Sequence, residues 1–523
     1  MAFVEKFLFG IEEFPSVGQI VFLCCLMCVL LFGKEIWEHS ASHLPPGPWG
    51  LPVIGASFRI GKNPHLDFTK MAKEYGDVFS LMLGNCLVVG INGVQAIRET
   101  IIKRSIAFAG RPKLHTFNLA NPEGSSLSFG DYSPRWNLTR KISVGAIHNF
   151  VKNEDTLEEK LLHESKRLVH CFKKQKGKAV DALITLKCAT ANIILNALFG
   201  VERSYDDEGL LKILHLAENH RKAVHGNGHV DFLPLLKYLP NKALKDLVLT
   251  MKVVLQEVFQ MYEKNKETYQ DGQVRNIADS FINVVEKESQ NQDENLRDEK
   301  ESPSMTALLK DDQIVSVLGD LFGAGFETSS TELYWSLAYL ITYPNIQRDL
   351  QEELDRVIGR ERLPTLQDIP SLPLLQAAVY ELLRVSCILP LAIPRTTTSE
   401  IRIRDFIIPK DTMVFVNLWS VHHDAQAWKD PHVFNPRRFL DSQGHLIDPK
   451  LLGGFLPFSG GRRKCPGEAL AKKTVCVFLA VLLHSFRFTQ VGLPTEYQGI
   501  DLQGEYGLIL SPKKFFVSLE LRN

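Results

Sequence analysis

The sequence predicts a mainly helical protein with small peripheral β-sheets, one large catalytic domain behind an N-terminal membrane anchor. Three observations predict it. Long segments repeat apolar residues at helical spacing, strand-like runs are short and scattered, and no second linker divides the chain after residue 52. The 523 residues, 45% hydrophobic and 23% charged, suffice for one large core and exclude disordered, collagenous and disulfide-scaffold classes. Lys plus Arg equals Asp plus Glu at 60 each, which argues against a nucleic-acid partner, whose binders carry a basic footprint. Nine scattered cysteines form no disulfide framework and fit a reduced, cytosol-facing body.

The first element is the anchor, residues 1–43. Phe14–Gly33 is a run of 20 uncharged residues between Glu12-Glu13 and Lys34-Glu35. At about 1.5 Å per residue such a helix spans about 30 Å, a bilayer core, and its flanks lack the basic start and small-residue cleavage site of a signal peptide. A buried core helix is the other reading. Residues 44–52, Leu-Pro-Pro-Gly-Pro-Trp-Gly-Leu-Pro, cannot continue a helix and make a stiff spacer. The catalytic domain follows as 53–523.

Within it, strands are expected at Val78–Leu83 with Leu87–Ile91, Ile401–Ile408, Met413–Val416 and Phe515–Leu521. Helical patterns cover Gln347–Ile358, Leu374–Val385 and, longest, Gln313–Ile341, for which Asp311 or Asp312 offers an N-cap and Tyr343-Pro344 a stop. Glu286–Ser302 is polar and reads as a solvated connection.

The chemistry concentrates in Phe458-Ser-Gly-Gly-Arg-Arg-Lys-Cys465-Pro-Gly-Glu468. Cys465 follows a cationic, glycine-rich loop, with Pro466 suited to a helix's first turn. Cations and a helix N-terminus stabilise thiolate, which poises the sulfur as nucleophile or metal ligand. Gly460, Gly461 and Gly467 let a flat body approach the backbone. Zinc and iron–sulfur sites need grouped ligands, so a lone thiolate leaves haem iron or covalent catalysis.

The pattern Phe458, Gly461, Arg463, Cys465 and Gly467 resembles the haem-binding signature of the cytochrome P-450 family, and the resemblance extends over the chain after the anchor. It implies haem b with Cys465 as axial ligand, Phe458 beside the sulfur, and Arg463 on a haem propionate. Trp136-Asn-Leu-Thr-Arg140 resembles an element whose Trp136 and Arg140 reach a propionate; Arg395 fits a further partner. Ala324-Gly-Phe-Glu-Thr-Ser329 resembles the oxygen-activation motif. Thr328 can bond back to a carbonyl one turn earlier, and Glu327 can relay protons. Glu381-Leu-Leu-Arg384, with Phe434–Phe439, implies a buried structural network of Glu381, Arg384 and Arg438.

The substrate pocket is expected at Phe322, Ala324, Leu391–Ile393, the turn Tyr506-Gly507-Leu508 and the aromatic Phe117, an apolar set for a lipophilic small molecule. Asp320–Phe326 and Asp231–Pro240 resemble most closely the animal microsomal family 1, hydroxylases of planar aromatics and oestrogens. Asn219-His220-Arg221 is polar where that group has an aromatic, and Arg395 stands where it usually has histidine. The resemblance implies a monooxygenase of the endoplasmic reticulum membrane, single-pass, fed by NADPH through a reductase flavoprotein, with cytochrome b5 as a second donor. Arg462, Lys464, Lys472 and Lys473 are candidates for its docking face. A haem-thiolate isomerase or dehydratase acting on peroxides is the alternative, and the Glu327–Thr328 pair favours the monooxygenase.

Overall fold

The computed structural model describes residues 18, 43–121, 124–175, 178–224, 229–294, 309–491 and 499–522. The expected anchor falls almost wholly outside them. Among the described residues no helix is long and apolar enough to cross a membrane.

Local sequence starts and stops the helices. Proline opens α1 (Pro64–Tyr75), and the Ser133 side chain caps α3 (Pro134–Lys152) by accepting from Trp136 N–H; between them lies α2 (His115–Ala120). Asn153 caps α4 (Glu154–Lys173), and Gly200, left-handed at φ 67°, ends α5 (Leu183–Phe199). Next come α6 (Glu208–Val224), α7 (Lys242–Glu267) and α8 (Ile277–Glu294). The polar stretch expected as a connection therefore begins as the last turns of α8, a helix whose earlier turns are buried at Ile277, Ala278, Phe281 and Ile282.

The long helix is α9 (Asp311–Thr342), 32 residues and about 48 Å. Asp311 and Asp312 lie inside its first turn rather than at the cap, which is Lys310; the Gln313 side chain accepts from Lys310 N–H. Both carboxylates still favour the helix dipole. Proline at the first turn opens α10 (Pro344–Val357) and α11 (Pro373–Ser386), and α12 (Glu468–Ser485) closes the helical body. α9 packs on α5, α7, α11 and α12, and every residue of Val475–Ser485 is buried. This layered helix core carries the largest apolar cluster of the molecule.

A four-stranded sheet stands beside it in the order β1 (Val78–Leu83), β2 (Cys86–Ile91), β6 (Met413–Val416), β3 (Arg395–Thr396). Only β2 and β6 are parallel. The run Ile401–Ile408 is a hairpin of β4 (Ile401–Ile403) and β5 (Phe406–Ile408), broken at Arg404 with φ 54°. β7 (Phe486–Gln490) pairs with β8 (Val517–Leu521). β8 starts later than the sequence suggests, because Phe515 N–H donates to Tyr334 Oη at 3.0 Å instead of to a strand.

Candidate active site

Between α5, α9, α11 and the loop before α12 lies a cavity of about 260 Å³. The loop is shaped by backbone. Gly461 has φ 69°, and a Cβ there would fall 1.8 Å from Ile101 O, so no other residue fits. Cys465 N–H donates to Phe458 O at 3.1 Å and closes the turn. Gly467 is the N-cap of α12, which puts Pro466 before the cap rather than in the first turn.

Cys465 is surrounded by protein, yet its surface is accessible because it faces the cavity. Burial pushes its thiol up, and the Gly467 N–H, Arg140 and Lys464 only partly oppose that. The thiolate expected from local cations is therefore not favoured by the protein alone. Lys464 and Lys472 both turn to Glu468 at 2.7 Å, which spends their charge. A coordinating metal deprotonates such a thiol on binding. Cys387 also lines the cavity, but its Sγ lies 3.2 Å from His422 Nδ1. His422 Nε2 accepts from Leu456 N–H at 3.0 Å, so Nδ1 carries the hydrogen and donates to Cys387.

Four arginines line the same cavity: Arg111, Arg140, Arg395 and Arg463. Burial, then repulsion from Arg395, pulls Arg463 down to about 9. Burial and Arg140 pull Arg395 to about 10, and Arg111 is pulled well down by burial and by Arg463 and Arg395. Asp131 and Asp320 offset only part of this, so the cluster still calls for an anion. Arg463 is held at 3.9 Å over Trp136, and it donates to Ala109 O, Leu127 O and Gly130 O. The Trp136 indole N–H is taken by Leu127 O at 2.9 Å, and Trp136 does not line the cavity. Arg140 donates to Lys464 O. Of the four, Arg395 keeps a buried Nε–H without a partner. An orphaned donor among repelling cations, sharing a cavity with a thiol, suits a flat cofactor with an anionic edge.

On the opposite wall Thr328 Oγ1 donates to Ala324 O at 2.8 Å, and both residues line the cavity with Gly325. Gly325 also admits α5: a Cβ would come 2.7 Å from Ile194. Glu327 faces elsewhere. Its carboxylate pairs at 3.0 Å with Lys187, a fully buried amine on α5 that also pairs with Glu218 at 3.0 Å.

Residues 45–519 match the family model described as Cytochrome P-450. The chain belongs to the cytochrome P-450 family. Similar proteins include cytochrome P-450 1A1 of Rattus norvegicus, 36% identical over 516 residues, covering 96% of this chain and 95% of the relative. Cytochrome P-450 1A2 of the same organism is 35% identical over 516 residues (95% and 96%), and 1A1 of Limanda limanda is 33% identical over 537 residues (100% and 99%). As a cytochrome P-450 the protein is a haem-thiolate monooxygenase, placing one atom of O2 in its substrate with electrons from a separate redox partner.

The core of this cytochrome P-450 is braced by Glu381. Its oxygens accept from Arg384 at 2.7 and 2.8 Å, from Arg438 at 2.9 Å and from Asn435 N–H at 2.9 Å. The substrate wall differs from expectation. Ala324 lines the cavity, but Phe117, Phe322, Leu391 and Leu508 do not. Phe117 packs on Phe129 at 4.7 Å and Phe322 on Phe326 at 5.0 Å, each satisfied by an aromatic neighbour. Leu391 is buried in the sheet-side cluster, and Leu508 is 41% exposed on the surface. Of the expected Leu391–Ile393, Ala392 and Ile393 do line the cavity, and the apolar wall is completed by Leu127, Ile194, Ile388 and Leu389. The side chains of His220 and Arg221 lie outside the described residues.

Sequence reasoning missed Lys187, Arg111 and Glu332. Lys187 had a signal, a single cation inside the apolar run Leu183–Phe199. Glu332 had another, a carboxylate four residues beyond Thr328, near the start of the buried stretch that runs to Leu340.

Proposed function

We propose that Cys465 is the axial ligand of haem b and that Arg395 and Arg140 receive the cofactor's anionic edge, with Arg463 shaping the loop behind them. Arg463 and Trp136 act through backbone carbonyls. The observation that carries this is the pairing, in one cavity, of an accessible thiol with an orphaned buried guanidinium N–H. When bound, haem supplies oxygen activation at its iron. The chain's own residues do the rest. Cys465 contributes the sulfur, Phe458 packs beside it, and Thr328, bonded back to Ala324 O, holds its acceptor lone pairs free on the opposite wall. The apolar wall excludes water around the substrate.

The test is spectroscopic. Cys465→Ala should lose the reduced carbon-monoxide band of a thiolate-ligated haem, and Cys387→Ala should keep it. A normal band in Cys465→Ala, or its loss in Cys387→Ala alone, refutes the assignment.

The substrate is a lipophilic small molecule of aromatic, steroid, xenobiotic or fatty-acid-like character, since the wall offers few polar groups. Its donor is an NADPH-dependent reductase flavoprotein, with cytochrome b5 as a second. Lys464, Lys472 and Lys473 are paired with Glu468 and Glu154, which leaves Arg462 as the best placed of the four cations to meet an acidic partner. Residues 1–43 anchor the protein once in the endoplasmic reticulum membrane, 44–52 form the spacer, and 53–523 form the cytoplasmic catalytic domain. The uncharged run Phe14–Gly33 supports this division.

A further inference from the structure

The reaction takes up two electrons and two protons per O2, one oxygen atom entering the product and the other leaving as water. A proton-holding group beside Thr328 is therefore needed. Glu327 is adjacent in sequence, but it does not line the cavity and its carboxylate is committed to Lys187. A different acid does line it. Glu332 sits on α9 one turn beyond Thr328, and both belong to the cavity wall. Residues at that spacing have Cβ atoms about 5–6 Å apart, and helical side chains lean toward the N-terminal turn, which here is the turn of Thr328.

Glu332 is 2% exposed. Its two carboxyl oxygens lie 3.0 and 3.3 Å from Ser386 Oγ at the end of α11, and no Lys, Arg or His pairs with it among the described residues. The titratable groups around it are Cys387 and Tyr339; beyond them lie the Glu381–Arg384 ion pair, already closed on itself, and His422, held neutral by burial. An ionised carboxylate without a cation is costly at such a place, and a neutral carboxyl bonded to a hydroxyl is not. Burial accordingly pushes Glu332 up to about 8, against the pull of Ser386.

We propose that Glu332, held by Ser386, is the internal proton store of this cytochrome P-450 and supplies Thr328 during turnover. Glu332 releases its proton to a lone pair of the Thr328 hydroxyl, while the hydroxyl's own hydrogen, given to Ala324 O at rest, turns away and passes to the oxygen that leaves as water, so Thr328 ends neutral. The carboxylate left behind keeps the Ser386 hydrogen bond and is re-protonated from solvent. This inference rests on the place given to Thr328 above.

The test uses the full-length holoenzyme with its reductase and pyrene as the lipophilic probe, reading product formed per NADPH across pH. The wild-type ratio should hold below about 8 and fall above it, as the store empties. Glu332→Gln should keep the reduced carbon-monoxide band yet lower the ratio about tenfold or more at neutral pH, the loss expected when a positioned acid is removed. It should also delete the infrared carbonyl stretch of a neutral carboxyl from the resting protein at neutral pH. Ser386→Ala, which removes the one bond favouring ionisation, should move the alkaline fall to higher pH.

If Glu332→Gln couples normally while Thr328→Ala does not, or if Glu327→Gln alone uncouples, Glu332 is not the store. Normal coupling in both Thr328→Ala and Glu332→Gln overturns the role of Thr328 with it. Absence of the infrared band in the wild type, or an unmoved limit in Ser386→Ala, overturns the proposal whatever the activity.

Discussion

Glu381 and Arg384, neither exposing any side-chain surface, meet in a two-pronged ion pair at 2.7 and 2.8 Å one helical turn apart on α11. The remaining Arg384 donors reach His422 O at 2.6 Å and Pro431 O at 2.7 Å, so the pair ties a helix to two loops. Glu381→Gln strands a buried guanidinium. It should cost about 3–5 kcal/mol, seen as a lower holoenzyme melting temperature and poor haem retention. Arg438→Ala, at a side chain 11% exposed, should cost less.

Lys187 gives a second prediction. Lys187→Met leaves the half-buried Glu218 and Glu327 without their shared cation, a loss of about 3 kcal/mol. Adding Glu218→Gln removes half of the stranded charge and should restore part of the stability. Equal losses in the single and double variants, in chemical denaturation, would show that the amine holds the fold by packing alone.

Arg395 gives a third. Arg395→Gln keeps polarity but deletes a charge repelled by Arg140 and lacking a partner at Nε. Haem transfer to an apo-globin acceptor should be severalfold faster than in the wild type, while the reduced carbon-monoxide band stays in place, because the sulfur is untouched.

The pH dependence of stability has two limbs of opposite sign. Glu332 moves from 4.5 up to about 8 on folding, so between those values the native state holds the extra proton and stability falls as pH rises. His422 moves from 6.5 down to about 3, so between those values the unfolded state holds the extra proton and stability falls as pH drops. Thermal scans of Glu332→Gln should lose the alkaline limb and keep the acid one. An unchanged alkaline slope would show that Glu332 is ionised in the native protein.

The helical frame and the cysteine loop were legible because their signals are local. Apolar periodicity fixes α9 to within two residues at its start, and glycine with cation spacing marks the loop around Cys465. What was not legible depends on contacts between distant segments. Nothing near Glu327 announces that Lys187, 140 positions earlier, will take its carboxylate. Phe117 and Phe322 read as pocket residues because aromatic type says nothing of direction, and each turns to a neighbouring ring instead. Cations beside Cys465 implied a thiolate, but sequence adjacency cannot weigh them against burial or reveal that Lys464 pairs with Glu468.

The crowded guanidinium groups of Arg111, Arg395 and Arg463 carry a wider meaning. A polypeptide that gathers like charges in its interior has built its scaffold for a guest, and holds together best when the guest arrives during maturation.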